Sequence, residues 1–450
     1  MTHTVQVAEF IVGTRYERLP TPAVAAAKSA ILDSVGVALA GSREQPARIA
    51  AELARTESSS PEAAVFGHRF SASSSAAAFV NGTATHALDY DASFTIGGQP
   101  MAGLTAAVLA LAEPLGASGP QVIEAYVTGY ELAGKLAWCL ASRGVDGTWH
   151  STATVGSFGC TAAAARLLGL DVPQTCMALG ITSSMASGLV ANFGTMSKPL
   201  HAGLAARNGV LAAMLAQRGF SGNPGSLEER GGFLEAFGRG SAPTLAPLEQ
   251  LGTTFEVERG VRFKAYPCGG LTHSAIDGVL ALRAEHGFGP DSVERIDVQV
   301  TTFTAERIVF RIPKTELQAK FSMAYILARA VTDGAVRLET FGDEAIADPL
   351  VLALAERVNM TVDTSLEDER VRARPCVVSI ALKDGRTFSR RVDYPKGSPE
   401  SPFLLDDLRE KFRTCSAPLL GEQGSIEMLH ALENLDTVGD VQTLTGMLRG

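Results

Sequence analysis

The sequence predicts a mostly α-helical protein that carries a smaller α+β domain. Of its 450 residues 46% are apolar and 19% charged, a composition that favours a large buried interior over disorder. Alanine- and glycine-rich segments with little polar face run from residue 21 to about 260, which is typical of helices buried on all sides. A strand-like alternation appears only from about residue 290. At this length, two domains are the expectation.

The helical part contains segments with recognisable starts and stops. The stretch "TPAVAAAKSAILDSVGVALAG" opens with Thr-Pro, a favourable helix start, and ends in Gly. The stretch "HAGLAARNGVLAAMLAQRG" also stops at Gly. No glycine-rich phosphate loop follows a strand-like segment, so a dinucleotide-binding fold is disfavoured.

The α+β part combines one strand, one helix and one hairpin. "VERIDVQVTTF" has the period of a strand, and "CVVSIALKDGRTFSRRVDY" predicts a hairpin that turns at Asp384-Gly385. Between them, "ELQAKFSMAYILARAVTDG" predicts one helix ending at Gly334. We therefore expect a helical domain over 1–261, an α+β domain over 262–396, and a segment 397–450 that completes the helical domain.

Charge and composition exclude several classes of function. The net charge of −9 argues against nucleic-acid binding, which needs a basic face. The start lacks the pattern of a secretory signal, and no apolar run of about twenty residues is free of charges or breakers. The six cysteines form no CxxC pair, so a zinc site is not expected. A cytoplasmic protein with reduced thiols, and no membrane partner, follows.

Polar clusters interrupt the apolar sequence. They are "HALDYDASFTIGGQP", "TWHSTATVGSFG", "GTMSKPLHAG", "FKAYPCGGLTHSAID" and, more weakly, "QAKFSMAY". Charged groups are costly to bury unless they are paired or used. Each cluster is therefore either a satisfied polar contact of the core or part of a site, and a single histidine near a helix start is more often structural.

Lys198 is the residue hardest to explain as a surface lysine. It lies between Ser197 and Pro199, directly before a long apolar helix, so it loses solvation and needs an anionic partner. Asp89 or a substrate carboxylate could be that partner, and burial would pull the pKa of the lysine towards neutrality. With His201 at the same helix start, it could form a cradle for a carboxylate.

Two other kinds of site are weaker. His86 and Asp89 have the i, i+3 spacing of two metal ligands on one helix face, but the remaining clusters offer Lys and Tyr instead of further ligands. We therefore expect no metal. Cys268 lies close to His273, yet Cys-Gly-Gly is equally typical of a turn.

Three segments resemble the MmgE/PrpD family along nearly the whole chain. They are "VNGTATHALDYD", "SKPLHAGLAARNGVLAAMLAQRGF" and "KAYPCGGLTHSAID". The family includes 2-methylcitrate dehydratases, cis-aconitate decarboxylases and iminodisuccinate epimerases. The resemblance implies a helical domain with an α+β lid, a site between them for a small di- or tricarboxylate, a homodimer, and no cofactor or metal.

The resemblance also implies which residues surround the substrate. Asp89 matches the aspartate of the family's "LD(F/Y)D" motif, His150 its histidine turn, and Lys198 the lysine of "KPLHAG". Lys264 matches the lysine before "(Y/F)-P", and Tyr325 a lid tyrosine. We assign three residues to catalysis: His150, Lys198 and Tyr325. We assign five to substrate binding: Asp89, Gln99, Lys264, His201 and Tyr266. His86 is interpreted as structural, and Asp91 stays open.

Departures from the family pattern guide the choice of reaction. Ala92-Ser93 and Gln99 stand where relatives often carry Asp-Thr and a histidine, and Gly269 or Gly270 where some carry another histidine. Dehydration needs an acid for the departing hydroxyl, which Gln99 cannot supply. We therefore expect a cofactor-independent epimerase of an iminodisuccinate-like dicarboxylate. The alternatives are a lyase resembling 2-methylcitrate dehydratase or cis-aconitate decarboxylase, and a non-catalytic protein that binds polycarboxylates.

Overall fold

Most of the chain is helical. The computed structural model describes residues 2–57, 60–94, 98–141, 148–238, 244–367 and 374–449. Among these residues, helices predominate and the only extended sheet has four strands. The expected fold class, mostly α with a smaller α+β part, is therefore confirmed.

The chain divides into two compact units. The first is Met1–Val261 together with Leu404–Gly450, and the second is Arg262–Phe403. The second boundary falls after Phe403, whereas the sequence analysis placed it after residue 396. The reason is local: the ring of Phe403 stacks on Phe263 at 5.9 Å between centroids, and the Phe263 N–H donates to the Gly397 carbonyl.

The first unit is built almost entirely of helices. The helices are α1 His3–Gly13, α2 Thr21–Gly41, α3 Gln45–Glu57, α4 Ser74–Ala87, α5 Met101–Leu115, α6 Gly119–Ala141, α7 Thr154–Leu167, α8 Val172–Ser183, α9 Ser197–Gln217, α10 Phe233–Phe237, α17 Leu405–Glu433 and α18 Gln442–Met447. The long helices pack on one another around α4, α5, α7 and α9, and α2 packs against α17. The two-residue strands are β1 Ala63–Ala64, β2 Ser71–Ala72 and β3 Ser93–Phe94.

The second unit packs short helices on a mixed sheet. The strands are β5 Val293–Val300, β6 Val358–Val362, β7 Cys376–Leu382 and β8 Thr387–Val392, while β4 Val261–Arg262 lies at the boundary. The strand order is β6-β5-β7-β8, with β5 parallel to β6 and antiparallel to β7. The predicted hairpin joins β7 to β8, with Ala381 opposite Thr387 and Gly385 at a φ of 88°. The helices are α11 His273–His286, α12 Thr302–Ala305, α13 Glu316–Ala319, α14 Met323–Asp333, α15 Asp343–Ile346 and α16 Pro349–Ala355.

Close backbone packing sets the spacing of α4 and α9, the two helices that carry most of the site. A Cβ on Gly203 would lie 2.1 Å from Thr83 Oγ1 and 2.4 Å from the Phe79 carbonyl oxygen. A Cβ on Gly82 would lie 2.9 Å from the Ala202 carbonyl oxygen. Only glycine allows these backbones to approach so closely.

Two predicted helices differ from those observed. α9 begins at Ser197, so Lys198 and His201 lie inside its first turns and not before it. The helix predicted from Glu316 to Gly334 is wrong in its middle, where Ser322 leaves the helical region at φ −112° and ψ 103°. Its side chain accepts a hydrogen bond from the Tyr325 N–H, which starts α14 as a separate helix.

One described helix, α2, is long and apolar enough to cross a membrane. Of its most apolar window, 67% is buried inside the protein. Its buried face includes Asp33, Gly36 and Leu39, and a Cβ on Gly36 would lie 2.8 Å from the Phe412 ring of α17. These contacts are those of a core helix.

Candidate active site

Asp89 lies in the turn after α4 and pairs with Lys198. Its backbone adopts the left-handed conformation, with a φ of 51°. Lys198 Nζ donates a hydrogen bond to Asp89 Oδ1, and each side chain is only 5% exposed. Because both charges are removed from water together, each offsets part of the other's desolvation. Asp89 is thus the anionic partner that the position of Lys198 calls for.

Gln99 supports the carboxylates of this turn. Its Nε2 donates to Asp91 Oδ1 at 3.1 Å and lies 3.3 Å from Asp89 Oδ1. The Gln99 backbone N–H in turn donates to Thr152 Oγ1 at 2.9 Å. The amide therefore links the Asp89 turn to the segment that carries His150.

His86 and Asp91 form a second buried pair beside the first. His86 Nδ1 lies 3.0 Å from both carboxylate oxygens of Asp91, and neither side chain is exposed. The His86 ring stacks on that of His150, with 5.6 Å between centroids. The sequence analysis interpreted His86 as structural and left Asp91 open, whereas the structure places both in direct contact with the site. The motif "HALDYD" already contained the signal, since His86 and Asp91 flank Asp89.

His150 and His201 meet directly. Their Nδ1 atoms lie 3.0 Å apart, so one ring donates a hydrogen bond and the other accepts it. The ring of Phe193 contacts His150 edge-on at 4.9 Å and lies 5.9 Å from Lys198 Nζ. Segments far apart in the chain thus bring His150 and Lys198 to one aromatic ring, while His201 contacts His150.

The environment keeps both of these imidazoles neutral. Burial, with the nearby His86 and Lys198, lowers the pKa of His201 to about 4. The pKa of His150 is lowered well below its usual value, mainly by burial and then by His86 and Lys198. A neutral imidazole can accept a proton, and a bound anion would favour its charged form. The pair could therefore take up a proton if an anion bound beside it.

A metal ion fits this cluster poorly. Ligand atoms of His86, Asp89 and Asp91 lie within 4.8 Å of one another, a spacing that a cation could use. The Lys198 ammonium, however, already pairs with Asp89, and the Gln99 amide already donates to Asp91. A divalent ion would have to displace a positive charge and a hydrogen-bond donor.

The remaining candidate residues lie in the second unit. Lys264 Nζ donates to the Cys268 carbonyl at 3.1 Å, and the Tyr266 hydroxyl donates to Asp277 Oδ1 at 2.6 Å. The Tyr325 hydroxyl donates to the Thr340 carbonyl at 2.5 Å and accepts from Arg329 Nε at 3.1 Å. These bonds satisfy the Tyr325 hydroxyl within its own unit. The roles of Lys264, Tyr266 and Tyr325 towards a substrate stay predictions.

The helical first unit thus brings together a buried lysine–aspartate pair and two neutral imidazoles, an arrangement of groups that can move a proton. A model of the MmgE/PrpD N-terminal domain matches residues 5–246, and a model of the MmgE/PrpD C-terminal domain matches residues 266–435. The chain therefore belongs to the MmgE/PrpD family, as the sequence motifs indicated.

Three relatives that match much of the chain share one name. Cis-aconitate decarboxylase of Mus musculus is 29% identical over an alignment of 459 positions, which covers 99% of this chain and 93% of that protein. The Homo sapiens protein of the same name is also 29% identical, over 99% of this chain and 94% of its own length. Cis-aconitate decarboxylase of Aspergillus terreus is 28% identical over 74% of this chain and 71% of its own length. All three relatives are named as decarboxylases.

Proposed function

We propose that the protein is a lyase that removes CO2 from cis-aconitate or a closely similar unsaturated tricarboxylate, without a coenzyme or metal. Two observations support this. Relatives matched over nearly the whole chain are named cis-aconitate decarboxylases. The observation that carries the proposal is the buried cluster of Asp89, Lys198, His150 and His201, which offers one fixed cation beside two imidazoles that can move a proton.

The chemistry suits such a cluster. Cis-aconitate has one carboxylate on the carbon next to its double bond. When CO2 leaves, the bonding electron pair spreads over the double bond and a second carboxylate, so no coenzyme is needed to hold it. The double bond shifts to the carbon that lost CO2, a proton then bonds to the far carbon of the original double bond, and each turnover releases one CO2 and consumes one proton.

Each residue has a defined role in this proposal. Lys198 stabilises the negative charge that builds up on the substrate in the transition state, and Asp89 holds the ammonium in place. His150 and His201 are neutral before binding; together they take up a proton as the anion arrives and deliver it to carbon. Either imidazole can carry the proton, because their Nδ1 atoms share one hydrogen bond. We therefore assign proton delivery to the pair.

The departure at Gln99 has a different meaning for this reaction. The sequence analysis used the missing acid there to prefer an epimerase over a dehydratase. Decarboxylation expels no hydroxyl, so it needs no such acid, and Gln99 instead supports Asp89 and Asp91. The relatives favour the lyase over the epimerase, which becomes the second candidate. One feature still favours the epimerase. The site can exchange protons, but Gln99 offers an amide where an acid would be needed to protonate a departing hydroxyl.

The test compares three substrates in heavy water. With cis-aconitate, we expect CO2 release at the rate of substrate loss and one carbon-bound deuterium in the dicarboxylate product. Conversion of 2-methylcitrate to 2-methylaconitate instead would support the dehydratase. Deuterium entry into iminodisuccinate with loss of optical purity would support the epimerase. Binding of all three without any turnover would support the non-catalytic alternative and reject the proposal.

A further inference from the structure

The turn that carries Asp89 is held in an unfavourable conformation. Asp89 has a φ of 51°, and a non-glycine residue in this region costs about 1–2 kcal/mol relative to ordinary conformations. No helix or strand lies between Ala87, the last residue of α4, and Ser93, the first residue of β3. Its backbone geometry must therefore be fixed by groups from elsewhere in the first unit.

Besides Gln99 and His86, which contact Asp91, two of those groups are Lys411 of α17 and Asp33 of α2. Lys411 Nζ donates to the Tyr90 carbonyl at 2.7 Å and lies 4.0 Å from the centre of the Tyr90 ring. One oxygen of Asp33 pairs with Lys411 Nζ at 2.6 Å, and the other accepts from the Ala92 N–H at 3.1 Å. The pair thus holds one peptide group on each side of Asp91.

We propose that Asp33 and Lys411 are positioning residues that hold the turn 89–92 so that the Asp89 carboxylate meets the Lys198 ammonium. Both side chains are buried, with exposures of 0% for Asp33 and 4% for Lys411. Apolar side chains of similar volume can often replace a buried ion pair without loss of stability. They could not, however, bind the Tyr90 carbonyl and the Ala92 N–H, and the site would lose its alignment. The kinetic part of this inference rests on the proposed function.

The test variant removes both charges together, since a single change would leave the other charge buried and unpaired. In Asp33→Asn/Lys411→Met, the new amide can still accept from the Ala92 N–H, but the donor to Tyr90 is lost. The control is Lys28→Met/Asp436→Asn. That ion pair, at 2.5 Å, also joins α2 to a later segment, but its side chains are 22% and 34% exposed and it lies away from the turn.

The first readout needs no turnover. Each protein is acylated with N-hydroxysuccinimidyl acetate, and the rate at Lys198 is followed by peptide mass spectrometry. Release of Asp89 from Lys198 should expose the amine and make its acylation several-fold faster in the test variant. The control should match the wild type. Equal Lys198 rates in all three proteins would overturn the inference.

The second readout separates positioning from general damage. With cis-aconitate, kcat of the test variant should fall by about 100-fold, the scale expected for a 1 Å misplacement, while KM changes little. The control should keep its kcat. Wild-type kcat in a folded test variant would overturn the inference. Absence of turnover in the wild type would reject the proposed function alone, because the acylation rates would still decide on the positioning role.

A charge-conserving variant covers the case in which the double variant does not fold. Lys411→Arg keeps the ion pair with Asp33 but replaces the ammonium beside Tyr90 with a planar guanidinium, so we expect smaller changes of the same sign in both readouts. Near-ultraviolet circular dichroism establishes that each protein is folded. Unchanged acylation and unchanged kcat in this variant would also overturn the inference.

Discussion

Lys198 is the residue on which the proposed chemistry depends most. Replacing it in Lys198→Met removes the cation that stabilises the developing charge, so kcat should fall by about 100- to 1,000-fold. It also leaves Asp89 buried without its partner, which should lower the free energy of unfolding by about 3–5 kcal/mol. Steady-state kinetics with cis-aconitate and urea unfolding measure the two effects.

Lys135 provides the matched control for this prediction. It is another buried lysine of the first unit, paired with Glu256 at 2.7 Å and Glu131 at 3.4 Å. Lys135→Met should lower stability by a similar amount and leave kcat of the folded protein unchanged. Equal loss of kcat in both variants would mean that burial of charge, and not chemistry, explains the effect of Lys198.

The lowered pKa of His201 predicts how the free energy of unfolding depends on pH. Its pKa is lowered from 6.5 to about 4 in the fold, so between these values the unfolded chain binds a proton that the folded chain does not. Stability therefore falls as the pH drops from 6.5 towards 4, and this contribution is fully present above 6.5. In His201→Asn, the fall in urea midpoint over this range should be smaller than in the wild type. An identical slope in both proteins would contradict the pKa assignment.

Among the helices, the close crossing of α4 and α9 positions Asp89 and Lys198 relative to each other. A Cβ on Gly203 would meet the Thr83 side chain and the Phe79 backbone at under 2.5 Å. Gly203→Ala should push the helices apart and lower the free energy of unfolding by about 1–3 kcal/mol. It should also lower kcat, because α4 ends at the turn of Asp89 and α9 carries Lys198. Thermal unfolding and steady-state kinetics report both changes.

Gly446 in α18 is the control for this substitution. A Cβ there would meet nothing within 4 Å, and alanine is favoured over glycine in a helix by up to about 1 kcal/mol. Gly446→Ala should therefore keep or slightly raise stability and leave kcat unchanged. A tolerated Gly203→Ala would show that the backbones at this crossing can separate without harm.

The elements also show what local sequence could and could not predict. The hairpin at Asp384-Gly385 followed from its turn residues alone, because a glycine with positive φ selects that turn. The break at Ser322 was missed, since a serine inside an apolar helical pattern is compatible with both a helix interior and a cap. The start of α9 at Ser197 was also missed, since the apolar pattern becomes continuous only after Pro199, which lies in the first turn of the helix.

At the scale of the whole molecule, composition and motifs were enough for the fold class and the family. The pairing of site residues was only partly predictable. Motif resemblance marked Asp89, His150 and Lys198, but the contact between His150 and His201 depends on how α9 packs against the segment before α7. The role proposed for Lys411 had no signal in the sequence, because it depends on α17 returning to α2 and on a contact 321 positions away along the chain.

The homodimer implied by the family resemblance is a prediction for the whole protein. Light scattering after size-exclusion chromatography should give twice the 47.2 kDa of one chain. A mass of 47.2 kDa at concentrations well above those of an activity assay would contradict the prediction.

The most direct measurement is a crystal structure of the protein with tricarballylate, the saturated analogue of cis-aconitate. We expect one analogue carboxylate within hydrogen-bond distance of Lys198 Nζ and another group of the analogue against His150 or His201. An analogue bound elsewhere, with the contacts of Asp89, Lys198, His150 and His201 unchanged from those in the free protein, would contradict the proposed function.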